Sequence, residues 1–151
     1  MDNFDDGTAS NMFGGVESVA AGSPGLSFVS TASIGGVGFS RGIAYDTVGG
    51  GTVHAYTSEK NNTNLSTFRY VSFWIRWGAG GENVYCTVDD NSVFPKVRVG
   101  SFIPDQITTQ FQKVVITTTA FYNTPTRVNW AAAAGAFKIE ANSDLASGIG
   151  T

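Results

Sequence analysis

Between residues 70 and 77 the chain reads Tyr-Val-Ser-Phe-Trp-Ile-Arg-Trp, and its apolar positions divide with the two-residue period of a strand. Val71, Phe73 and Ile75 fall on one side, and Tyr70, Trp74 and Arg76 on the other. Gly78-Ala79-Gly80-Gly81 ends the run. Beyond it Val84, Cys86 and Val88 alternate with Tyr85 and Thr87, so the pattern repeats. A sheet built from these segments has one plainly apolar face. Its other face mixes aromatic rings with hydrogen-bonding groups, which suits a polar, ring-shaped ligand such as a sugar.

Similar strand-like segments occur at 26–30, 38–47, 51–57, 67–77, 84–88, 96–99, 110–119, 126–130 and 137–140. Turn clusters separate them: Gly35-Gly36, Gly49-Gly50-Gly51, Asn61-Asn62-Thr63-Asn64, Asp89-Asp90-Asn91 and Asn142-Ser143-Asp144. A helical period is almost absent. The alanine run at 131–134 is too short to nucleate a helix, so it reads as a turn or loop. The pattern predicts an all-β fold, a β-sandwich or jelly roll of two antiparallel sheets, in one domain spanning 1–151. Its expected core contains Val71, Phe73, Ile75, Val84, Cys86, Val88, Val114 and Ile116, and Trp77 also carries core parity.

Composition narrows the function. Charged residues are 14% of the chain, against about a quarter in ordinary domains. With many Gly, Ser, Thr and aromatic residues, that is the profile of a β-rich extracellular module. The net charge of −3, with nine basic residues, gives no electrostatic footprint for nucleic acid. No apolar run approaches the length of a membrane-spanning helix, and the acidic first residues lack a signal-peptide layout. Cys86 is the single cysteine, which excludes an intramolecular disulfide, and its strand position predicts a small core hydrophobe.

Catalysis finds little support. One histidine and one cysteine exclude most nucleophilic Cys/His arrangements and every multi-histidine metal site. Asp89 and Asp90 fall in a predicted turn, where water would screen them from the work of a glycosidase pair. Gly36-Val37-Gly38 lacks the third glycine and following helix of a dinucleotide site. The sequons at Asn61 and Asn64 mark an exposed loop. The reading is a non-enzymatic protein.

Short motifs in a particular order add to this picture. They are Asp2-Asn3-Phe4-Asp5-Asp6-Gly7, Asn11-Met12-Phe13-Gly14-Gly15, Gly42-Ile43-Ala44-Tyr45 and Val71-Ser72-Phe73-Trp74-Ile75-Arg76. Phe111-Gln112-Lys113-Val114-Val115-Ile116, with Phe121 beyond it, comes next. Val128-Asn129-Trp130 and Ser147-Gly148-Ile149-Gly150-Thr151 complete the set. In this order they resemble the galactose-binding-like jelly-roll carbohydrate-binding modules of bacterial plant-cell-wall hydrolases. The resemblance covers nearly the whole chain. It implies a secreted, non-catalytic module that holds an attached glycoside hydrolase against plant polysaccharide of the β-glucan or xyloglucan type. It also implies a structural Ca²⁺, for which Asp2, Asp5 and Asp6 are the candidate ligands, with solvated turn residues as the plainer alternative. The modules continue past Gly-Thr into a closing strand, whereas this chain stops at Thr151. Either the closing strand has been cut away, or the slot is expected to be filled by residues around Asn3-Phe4-Asp5 or by another chain.

Strand parity sets His54, Tyr56, Trp74, Arg76, Tyr85 and Arg98 opposite the apolar stripes, as candidate carbohydrate-binding residues. Aromatic rings would stack on sugar C–H faces while Arg and His bind hydroxyls. Trp74 and Trp130 fit either this role or packing. Tyr85→Ala or Arg98→Ala is expected to weaken polysaccharide binding without unfolding the domain. The alternative reading is an extracellular structural or fibre subunit that assembles by strand exchange into a homo-oligomer.

Overall fold

The structure, a computed structural model, describes residues 16–18, 25–29, 40–46, 52–78, 84–104, 106–122, 127–142 and 149–150. The chain is all-β. The strands among the described residues are β1 (Val16–Ser18), β2 (Gly25–Val29), β3 (Ser40–Asp46), β4 (Thr52–Thr63), β5 (Tyr70–Ile75), β6 (Tyr85–Asp89), β7 (Lys96–Arg98), β8 (Gln112–Thr117), β9 (Ala133–Asn142) and β10 (Ile149–Gly150). Among the described residues the only helical pieces are single 3-10 turns, at Val99–Ser101, Thr118–Phe121 and Trp130–Ala132, and no helix is long and apolar enough to cross a membrane.

Among the described residues every strand pairing is antiparallel. Five strands form one sheet in the order β1-β4-β9-β6-β7, three form a second in the order β10-β3-β2, and β5 and β8 make a two-stranded ribbon. The ribbon register is regular, from Tyr70 opposite Thr117 to Ile75 opposite Gln112. Residues 1–6, expected to fill the closing slot and to hold Ca²⁺, lie outside the described residues. The pairing found on β3 is with β2 and β10.

One core joins the ribbon to the five-stranded sheet. Val71, Val114 and Ile116 from the ribbon cluster with Cys86 and Val88 of β6, and with Ile139 and Ala141 of β9. Trp77, Val84, Val99, Ile103, Ile107, Phe121 and Val128, from loops and 3-10 turns, complete it. The expected core is therefore present: six of its eight members are buried, while Phe73 and Ile75 pack against it half-buried. Cys86 is fully buried, and burial pushes its thiol pKa far up, so it behaves as the expected inert hydrophobe.

Three local readings are revised. The asparagine run does not end β4, which continues to Thr63; the turn is set by Asn64, whose Oδ1 accepts from Ser66 N (3.0 Å) and Ser66 Oγ (2.7 Å). Residues 127–129 are not a strand and lead into the 3-10 turn at Trp130–Ala132, where Asn129 Oδ1 accepts from Ala131 N at 3.2 Å. The alanines predicted as loop divide between that turn and the start of β9.

Asp90 fastens the β6–β7 turn to this segment. Its Oδ1 accepts from Ser92 N, Ser92 Oγ and Val93 N at 2.6–3.0 Å, and its Oδ2 accepts from Asn129 N at 2.7 Å. Next to it Asn91 takes the left-handed conformation (φ 68°), which asparagine tolerates well. Burial raises the Asp90 pKa, but these hydrogen bonds outweigh it and hold the carboxyl well below the ordinary carboxylate range. A depressed folded-state pKa contributes stability that is complete above the unfolded value, about pH 4, and is lost as pH falls through the folded one. Asp90→Ala is expected to cost about 1–3 kcal/mol at neutral pH. Urea melts should show the parent and variant converging in acid, and a constant gap between pH 7 and pH 2 would contradict this role.

Candidate functional site

Of the sequence-selected residues, Tyr85 and Arg98 fall on one surface and Trp74 and Arg76 on another, while the side chains of His54 and Tyr56 lie outside the described ones. Arg98, Tyr85, Glu140 and His54 form one backbone row across β7, β6, β9 and β4. Two residues along, Lys96, Thr87 and Lys138 form a second row on the same face. Between these rows lies that of Val97, Cys86 and Ile139, which belongs to the core side. Tyr56 registers with Ile139 rather than with the His54 row, because the chain holds an extra residue, Ala55, between His54 and Tyr56.

This polar face is closed by its own charges. Lys96 Nζ reaches Glu140 Oε1 at 2.6 Å, crossing over the intervening strand β6, and stands 5.8 Å from the centre of the Tyr85 ring. Lys138 pairs with Asp89 and also stands 5.4 Å from the ring of Phe94. Glu140, Asp89 and Thr87 are buried beneath these lysines, and Thr87 Oγ1 has no hydrogen-bond partner. Asp89 is thus not a water-screened turn carboxylate: it ends a strand and is held by a cation. Both carboxylates are occupied by lysine, and the half-buried Tyr85 ring has a cation over it. Arg98, opposite Tyr85, is exposed.

The second surface is the outer face of the β5–β8 ribbon. Alternation puts Tyr70, Ser72 and Trp74 of β5 outward, beside Thr117, Val115 and Lys113 of β8, and all six are exposed. Tyr70 is 58% and Trp74 48% exposed, and Phe68, just before the strand, is 55% exposed. The two strand rings lie four residues apart on one face, roughly 13 Å along the strand. Arg76 continues the outward parity and stands 5.5 Å from the centre of the Phe111 ring.

A difference in capping separates the rings. Phe111, Tyr85, Tyr122 and Phe94 each have an arginine or lysine over the ring. Among the described residues no such cation stands over Phe68, Tyr70 or Trp74. Their apolar faces are therefore open to a ligand, with Arg76, Lys113, Ser72 and Thr117 as hydrogen-bonding groups alongside.

Sequence parity set Tyr70, Trp74 and Arg76 on this face, but only Trp74 and Arg76 were among the candidate binding residues. Lys113 needed the pairing of β5 with β8 to be seen. Trp130 is half-buried against Phe121, with ring centres 5.9 Å apart, which makes it a packing residue; its Nε1 has no hydrogen-bond partner. Among the described residues no group of three or more His, Cys, Asp or Glu is placed to hold a metal ion. No family model, curated protein or solved structure matches the chain.

Proposed function

We propose that this chain is a non-catalytic carbohydrate-binding module of jelly-roll architecture, which binds β-linked plant polysaccharide through the outer face of the β5–β8 ribbon. The observation that carries the reading is the pair Tyr70 and Trp74, exposed and, among the described residues, uncapped where four other rings are covered by cations. A sugar ring presents a flat C–H patch to such a ring, and its rim hydroxyls meet Arg76, Lys113 and Ser72. Secretion, attachment to a glycoside hydrolase and a Ca²⁺ on Asp2, Asp5 and Asp6 belong to the same proposal, on the strength of the motif resemblance.

Affinity electrophoresis against soluble β-glucan, xyloglucan, mannan and xylan tests the proposal. Trp74→Ala is expected to weaken the best ligand at least ten-fold, a loss of about 1.4 kcal/mol, with unchanged thermal unfolding. Tyr85→Ala and Arg98→Ala serve as the contrast. Loss of binding in that pair, with Trp74→Ala unaffected, would move the site to the five-stranded sheet. Retardation by none of the four polysaccharides would remove the function.

A further inference from the structure

The ribbon's hydrogen bonding identifies which backbone groups it leaves unused. Thr118 N donates to Arg69 O at 3.0 Å, and these two residues continue the β5–β8 register by one step. Hydrogen-bonded and non-hydrogen-bonded pairs alternate along an antiparallel ladder. Ile116, Val114 and Gln112 therefore face β5 with their N–H and C=O groups, whereas Thr117, Val115 and Lys113 direct theirs to the other edge of β8. Among the described residues no strand lies on that edge. It has no proline and no bulge, and Lys113 is its one charge. Those are the devices by which sheet edges avoid pairing, and here they are nearly absent.

We infer that this edge pairs with the same edge of a second copy, antiparallel, about a two-fold axis through Val115. The sequence is self-complementary in this register. Val115 meets Val115 of the second copy, and Lys113 meets Thr117 in both directions, so all three edge-facing residues of each copy exchange N–H···O bonds. A two-fold centred on Val114 or Ile116 leaves one of those residues outside the matched set. The side chains agree with the backbone. Val114 lies opposite Ile116 and extends the buried face, while the exposed valines adjoin on the outer face. The two lysines are kept apart. The product is a four-stranded sheet, β5-β8 continued by β8-β5 of the second copy. This inference does not depend on the sugar reading.

Two variants at Val115 test it, since that side chain is 43% exposed and its replacement spares the core. Val115→Cys introduces the only accessible thiol, because Cys86 is fully buried. Hydrogen-bonded antiparallel partners have Cα atoms about 5.5 Å apart, within disulfide reach. Mild oxidation should convert most of this variant to a covalent dimer, with Thr119→Cys as a poorly reacting control outside the paired strand. Val115→Lys places two ammonium groups face to face and should raise the dimer dissociation constant at least about ten-fold in sedimentation equilibrium. A parent chain that stays monomeric at millimolar concentration overturns the inference. So does a dimer that survives Val115→Lys, or a Val115→Cys chain that cross-links no faster than the control. Open-ended oligomers would instead indicate head-to-tail pairing of β5 with β8, and would equally overturn it.

Discussion

Lys138→Ala is expected to destabilise the fold by about 3 kcal/mol, the lower end of the range for breaking a buried ion pair. Lys138 is the cation paired with Asp89, whose side chain is only 3% exposed, while Lys138 itself retains some contact with water. Removing it takes a positive charge from a carboxylate that has little solvent to replace it. The lysine stem also covers the sheet beside Phe94, so packing and charge must be separated. Lys138→Met keeps most of the stem and removes the charge. Urea denaturation of both variants makes the distinction: comparable losses assign the cost to charge, whereas a near-neutral methionine variant assigns it to packing. Adding Asp89→Asn to Lys138→Met should recover part of the loss, because the orphaned charge is then gone.

Phe121→Ala should cost about 3–5 kcal/mol, a large share of the 5–15 kcal/mol that holds such a domain together. Phe121 is fully buried at the end of the 3-10 turn that follows β8, and it belongs to the cluster joining the ribbon to the five-stranded sheet. Its ring meets Trp130 edge to face, at an interplanar angle of 73°. Truncation leaves a cavity in the cluster that joins the ribbon to the five-stranded sheet, beside the Trp130 ring. Phe121→Leu should lose much less, since a branched side chain refills most of that volume. Equal denaturation midpoints for the parent and the alanine variant would show that the ring does not carry the junction.

Strand alternation made the central elements legible. Val71 against Trp74 and Cys86 against Tyr85 could be sorted by parity alone; the burial of β5 follows the sorting, whereas β6 is buried without a break from Cys86 to Asp89. The failures lie where a distant partner decides. Residues 127–129 have strand-like composition, but the Asn129 amide is claimed by Asp90, 39 positions away. No local pattern records that bond. Tyr56 shares the sequence parity of His54, yet one extra residue in β4 sets its backbone in another row. Thr87, read as outward and polar, is buried because Lys96 and Lys138 on neighbouring strands reach toward their carboxylates around it. The candidate site divided for a related reason. Parity says which side of its own strand a residue occupies, but not which sheet the strand joins. Trp74 and Tyr85 have matching parity on separate sheets.

The position of β9 also governs the order of assembly. It lies between β4 and β6 in the five-stranded sheet, although both precede it in the chain. Its register reaches from Thr52 opposite Asn142 on one side to Tyr85 opposite Glu140 on the other. During synthesis β4 and β6 are complete long before the strand that separates them exists. The sheet closes only when residues 133–142 arrive and insert between two waiting edges. Such non-local pairing pays its loop-closure entropy before any contact repays it, which sets folding on the millisecond-to-second scale of β-rich domains. A nascent chain stopped before Ala133 presents both edges unpaired, so this interval is the one in which the protein is most exposed to misassembly.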